Sequence, residues 1–350
     1  MGDILALGIT HYPGLAGEDQ RMAGLLKRLM TNPNIPAEMR DPANWPDEMR
    51  KEWGNDDGAS SAARHREGLV GWMMKTRAAL DAFKPDFVLI WGDDQYENFR
   101  EDIIPPYCVN AYDKFEFHSP PNNIWGESVE KTFTLQGVPK VGRQMATHLL
   151  EDGFDCAYAY KPLHHNLGHA FANAIMYLDY NRVGFPYPIL PVAINCYGRR
   201  VISQRGGGPS LDRVLSADEL DPPAPTPKRL FDMGGSIARF LKDSPYRVAI
   251  LASSGWSHAF LTEKNYFLWP DTPADRKLYN ALRDGDYQTW RNYPAAAIED
   301  SGQQEVLNWM CLAGAMNELK MKPSTAETGM LTTWIFNSSK TFMINPKQAA

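Results

Sequence analysis

Four short apolar runs, each leading straight into a group of polar residues, constrain this chain more than any other feature. The runs Ile4 to Ile9, Phe87 to Trp91, Ile189 to Ile194 and Val248 to Ala252 are continuous rather than alternating. That is the pattern of strands covered on both faces, as in a largely parallel sheet. Between the first two runs, residues 66 to 84 place Leu69, Met73, Leu80 and Phe83 on or near one helical face and end at Lys84-Pro85. Strand, helix, strand is a crossover unit and implies parallel neighbours. Further helices are expected at 139–152, 168–179, 228–242 and 302–319, the last opened by Ser301 and Gln304 as a capping box. The expectation is one α/β domain over 1–350 with a mostly parallel central sheet and helices on both faces. A helical insertion at about 16–64 and a long Gly/Pro-rich loop at about 205–227 interrupt the alternation. The insertion reads equally well as a lid or as a packed surface excursion.

Composition removes several classes of function. Lys and Arg number 36 against 42 Asp and Glu, a net charge of -6, so no basic excess exists to neutralise phosphates. Neither a nucleic acid nor an anionic membrane is an expected partner. No stretch approaches about 18 uninterrupted apolar residues, and no basic segment precedes the first run, so neither a spanning helix nor a signal peptide is expected. The four Cys form no CxxC pair, which argues against a zinc ribbon or a disulfide scaffold and makes a reducing cytoplasm the default. There are only 8 His, so any metal or acid/base chemistry should be marked by where they fall.

In open α/β sheets, ligands bind beyond the carboxyl ends of the strands. The residues there are Thr10-His11-Tyr12, Gly92-Asp93-Asp94-Gln95-Tyr96-Glu97-Asn98, Asn195-Cys196-Tyr197 and Ser253-Ser254-Gly255-Trp256-Ser257-His258. A lone His is usually structural, but four runs delivering polar groups to one edge describe a site. His65 is expected at the same edge, near the start of its helix. Glu305 falls in the first turn of the last helix, where the dipole favours a carboxylate. The segment His164-His165-Asn166-Leu167-Gly168-His169 holds three more imidazoles just before a helix. Two imidazoles and one carboxylate suit the facial triad of non-haem Fe(II), with zinc as the rival, and spacing alone does not choose between them.

Over most of the chain outside 16–64, these motifs resemble the catalytic (β) subunit of the class III extradiol ring-cleavage dioxygenases, the group containing protocatechuate 4,5-dioxygenase. The resemblance rests on Gly8-Ile9-Thr10-His11, Leu89-Ile90-Trp91-Gly92-Asp93-Asp94, Ser254-Gly255-Trp256-Ser257-His258 and Glu305-Val306-Leu307-Asn308-Trp309 with Ala313-Gly314-Ala315. It implies that His11 and Glu305 ligate iron and that His258 is the general acid/base. His165, in the His-rich turn, is a second catalytic candidate. The sequence departs from the family's Asn-Asp-His at the end of the second strand, where Gln95 follows Asp94. His65 is therefore expected to complete the metal site, with Gln95 orienting a ligand or substrate.

The implied reaction is Fe(II)-dependent opening of a catechol-like or related hydroxylated ring with O2. Tyr12, Tyr96, Trp256, Gln95 and His169 are the expected substrate contacts. The alternatives are an oxygenase of the same fold that does not open the ring, or a non-catalytic metal-binding relative. A homodimer is the expected assembly.

Overall fold

The computed structural model describes residues 2–208, 211, 215–323 and 325–345. Eight strands form one sheet in the order β6-β3-β7-β2-β8-β1-β10-β9. The four at its centre, β7 (Ile189–Ile194), β2 (Phe87–Asp93), β8 (Arg247–Ser253) and β1 (Asp3–Ile9), are all parallel. They are the four apolar runs, three of them extended by one or two residues, and almost every position in them is buried.

The register sets the active edge. Ile9 pairs with Ser253 and Asp93 with Ile194, so the carboxyl ends of all four strands finish together. On one side of the sheet, Leu5, Leu7, Val88 and Ile90 pack with Leu69, Met73 and Leu80 of the helix Ala59–Phe83 and with the helix His169–Leu178. On the other, Ile4, Ala6, Leu89 and Ile250 meet the helices Pro139–Glu151, Pro227–Lys242, Thr272–Asp284 and Val306–Glu318. The architecture is α/β with helices on both faces.

The flanking strands carry weaker signals. β10 (Lys340–Asn345) runs antiparallel to β1, with β9 (Thr328–Leu331) outside it, and β3 (Tyr107–Asn110) runs antiparallel to β7, with β6 (Ala157–Ala159) beyond. β4 (Lys114–His118) and β5 (Thr132–Gln136) form a separate antiparallel pair. Residues 16–64 fold into short helical pieces whose Met22, Leu26, Trp45, Met49 and Trp53 join the apolar layer around the helix Ala59–Phe83. Of the expected loop at 205–227, residues 209, 210 and 212–214 lie outside the described residues.

Two sequence expectations change here. The helix before β2 begins at Ala59, not near 66. Ser301 does not cap the last helix: its hydroxyl donates to the Ala297 carbonyl at 2.6 Å, closing the preceding helix Ala295–Asp300, and Glu305 is the N-cap residue of Val306–Glu318.

The helices Pro227–Lys242 and Val306–Glu318 cross at two glycines. A Cβ on Gly314 would meet the Phe231 carbonyl, and one on Gly234 the Cys311 carbonyl. Backbone on backbone leaves no flexible side chain to yield. Gly314→Ala should therefore lower stability by about 1–3 kcal/mol, the cost of overpacking a dense core, as a lower urea midpoint; an unchanged midpoint would show that the crossing tolerates a methyl group.

Candidate metal and acid/base site

His11 follows β1 by two residues, and its tautomer is set by its neighbours. The Ser253 hydroxyl donates to the Ala170 carbonyl at 2.9 Å, so it receives the hydrogen bond from His11 Nδ1 at 3.1 Å. The lone pair of His11 is thereby left on Nε2, the arrangement that orients a ligating imidazole. Nε2 lies 3.2 Å from Glu305 Oε2 and 3.8 Å from Asp93 Oδ1. Asn173 fixes the His11 backbone by donating to its carbonyl at 3.2 Å.

Glu305 is buried with both oxygens engaged. Oε2 accepts the Gly255 N–H at 2.7 Å, Oε1 accepts the Tyr197 hydroxyl, and His258 Nε2 lies 3.2 Å from Oε1. Burial alone would raise its pKa, but His258 and His11 outweigh that and hold the carboxyl well below its usual range. Asp93, fully buried, is pushed up by burial and by Glu305, with His11 opposing. Its Oδ1 accepts a 3.4 Å bond from Asn308, one turn beyond Glu305, while Oδ2 has no partner.

His169 opens the helix His169–Leu178 and closes the site. Its ring meets His11 edge-on, with centroids 5.0 Å apart. Glu97 accepts both its backbone N–H, at 3.1 Å, and Nδ1, at 2.9 Å. Burial disfavours the imidazolium, yet Glu97, Asp93 and Glu305 together push the pKa up to about 10. Gly168 leaves room for this contact, because a Cβ there would meet Glu97 Oε2 and shift it. Asp94 shapes the supporting loop by accepting the N–H groups of Glu97, Asn98 and Phe99, and Asn98 Oδ1 accepts those of Leu163 and His164.

One ligand atom each from His11, Asp93 and His169 lies within 4.8 Å of the others, a group able to hold a metal ion. Two imidazoles, a carboxylate and an unpartnered buried oxygen suit a divalent ion, with Glu305 beside them. His258 stands on the far side of Glu305. Its pKa is lowered by burial, with Glu305 partly opposing, so the ring is neutral near pH 7.

The structure brings together His11, Glu305, His258 and His169, and it corrects the other sequence-derived candidates. His65 is not part of this group. Because its helix starts at Ala59, it sits six residues in, roughly 9 Å along the axis, and it packs against Phe336 with centroids 5.2 Å apart. Gln95 turns away and donates to the Gly206 carbonyl at 2.8 Å, and Tyr96, at φ +61°, lies against the same glycine. Tyr12 is buried under Lys340, 3.7 Å above its ring, with its hydroxyl donating to the Met22 carbonyl. Trp256 is enclosed edge-on by Trp290 and Trp309. His165 is exposed at the rim. Asp93 was missed as a ligand candidate although the strand-end residues included it. Its signal was position: it is the last residue of a fully buried strand.

Residues 215–343, which include His258 and Glu305, match the family model described as the catalytic LigB subunit of aromatic ring-opening dioxygenase. In this the chain is similar to the extradiol ring-cleavage dioxygenases. It is 29% identical over 236 residues to a 2,3-dihydroxyphenylpropionate/2,3-dihydroxicinnamic acid 1,2-dioxygenase of Pseudomonas putida, covering 66% of this chain and 59% of that protein. Enzymes of the same name from Comamonas testosteroni and Klebsiella pneumoniae are 24% and 26% identical, over 52% and 68% of this chain and 46% and 60% of theirs. The chain thus spans about half to three-fifths of the length of these relatives. No described helix is long and apolar enough to cross a membrane.

Two outcomes follow from this geometry. Asp93→Ala and His11→Ala should each lose bound metal while His65→Ala keeps it, as read by metal analysis after dialysis; metal lost from His65→Ala alone would restore His65 as the ligand. Separately, Asp275 accepts the Ser257 N–H at 2.9 Å and the Gln303 amide at 2.7 Å, bracing the turn before His258. Burial raises its pKa from 3.8 to about 7, above the unfolded value, so the folded state binds more protons between those limits. Its contribution to stability is therefore lost as pH rises from about 4 to about 7. Denaturant titrations should show wild type losing stability relative to Asp275→Asn across that window, and parallel curves would contradict the assignment.

Proposed function

We propose that this chain is a non-haem Fe(II)-dependent dioxygenase that opens the ring of a catechol-like substrate with O2. The observation that carries the reading is the convergence of His11, Asp93, His169 and Glu305 at one sheet edge, with a neutral His258 beside them. The names of the relatives, all dioxygenases of dihydroxylated phenylpropanoid acids, support the same substrate class, an aromatic diol with a carboxylate-bearing side arm.

Iron bound at these residues supplies the redox chemistry between diol and dioxygen. The chain does the rest. His11 is held in its ligating tautomer by Ser253, and Glu97 fixes the His169 ring. His258 is buried with Nε2 3.2 Å from Glu305 Oε1. Its imidazole takes the proton from a diol hydroxyl and later returns it. Tyr197 and Gly255 hold the Glu305 carboxylate in place as the charge on His258 changes.

Anaerobic reconstitution with Fe(II), followed by oxygen-uptake and product spectroscopy on catechol and 3-(2,3-dihydroxyphenyl)propionate, tests the reading. One O2 consumed per diol with a ring-opened product is expected, and zinc-only binding with no oxygen uptake would overturn it. His258→Ala should retain iron and lose roughly 10²- to 10⁴-fold in turnover, the usual worth of a general acid/base group.

A further inference from the structure

We infer that the cleft outside His169 receives the side arm of the substrate, with Phe117 and His165 as its specificity-determining residues; this rests on the dioxygenase reading above. The cleft has a volume of about 400 Å³ and lies between the turn 164–169, the helix His169–Leu178 and the β4–β5 pair. Its inner end is His169, the same imidazole that joins His11 and Asp93. A space of this size is in the range of small-molecule sites of about 300–1,000 Å³.

The wall and the rim differ in chemistry. Phe117, Leu167 and Met176 line the middle of the cleft. Phe117 is held rigidly, paired across the strands with Phe133 and stacked on it with centroids 5.0 Å apart and planes 10° from parallel. An apolar arm lies against that ring face. At the rim, the polar groups are already matched with one another. Glu97 pairs with His169 at 2.9 Å, Glu116 with Lys114 at 2.8 Å, and His164 with Asp102 at 2.9 Å. His118 is taken by the Lys131 carbonyl at 3.3 Å.

The imidazole of His165, exposed at this rim, makes no hydrogen bond within the described residues; only its backbone N–H is used, toward Asn98. With the neighbouring Asn166 amide, which also makes no hydrogen bond within the described residues, it offers a donor for a carboxylate at the end of the arm. Diol at the metal, apolar linker against Phe117 and carboxylate at His165 define an aryl-alkanoic acid as the ligand class.

The test compares kcat/KM for 3-(2,3-dihydroxyphenyl)propionate with that for catechol in wild type, Phe117→Ala and His165→Ala. The ratio of the two should fall about tenfold or more in each variant, the scale of a lost pocket contact of 1–3 kcal/mol. An unchanged ratio in both would overturn the inference. His165 is exposed, so its variant remains informative if Phe117→Ala unfolds. Anaerobic calorimetric titration of the iron-loaded protein with the same two diols separates the two readings. Tighter binding of the arm-bearing diol that is lost in the variants supports the cleft even without turnover, and equal affinities in wild type refute it even in an active enzyme.

Discussion

The carboxylate of Glu305, buried between two imidazoles, is the constraint around which the rest of the molecule is arranged. Removing a charge from water costs several kcal/mol unless every lone pair finds a partner. Here the hydrogen bonds come from Gly255 after β8 and Tyr197 after β7, while His11 after β1 and His258 beyond β8 each stand 3.2 Å away. Such partners meet only if the four central strands end level, which the Ile9–Ser253 and Asp93–Ile194 registers ensure. The parallel sheet is in that sense the device that makes an ionised Glu305 tolerable.

Much of this was legible in the sequence. Continuous apolar runs locate β1, β2, β7 and β8 because strands buried on both faces have no polar side to alternate with. His11, Glu305 and His258 follow from their positions just past those strands or at the start of a helix. The outer strands were not legible, since β4 carries Lys114, Glu116 and His118 and β6 is three residues long. Their pairing depends on partners distant in sequence. The β4–β5 pair supplies one wall of the cleft, so the least readable part of the fold lines the pocket beside His169.

His65 and Asp93 show why residue type alone misleads. His65 has the chemistry of a ligand, but a helix start displaced by seven residues moved it to the apolar neighbourhood of Phe336. Burial there drives its pKa well down, so it behaves as a neutral packing group. Asp93 drew less notice than the histidines, yet the last pleat of β2 buries it where its charge needs a cation. With Gln95 turned toward Gly206, a carboxylate one pleat earlier faces the centre.

The two sides of the centre are secured by different forces. Glu305 adjoins a helix whose glycine contact with Pro227–Lys242 is backbone on backbone, inside the densest part of the core. The His169 ring is oriented by polar bonds, from its Nδ1 to Glu97 and from the turn before it to Asn98, while the helix it opens is buried in the core. Solvent competes with the second kind of attachment far better than with the first. The centre therefore has one side set in packed backbone and one whose ring orientation rests on polar bonds, and the second is the side that faces the cleft.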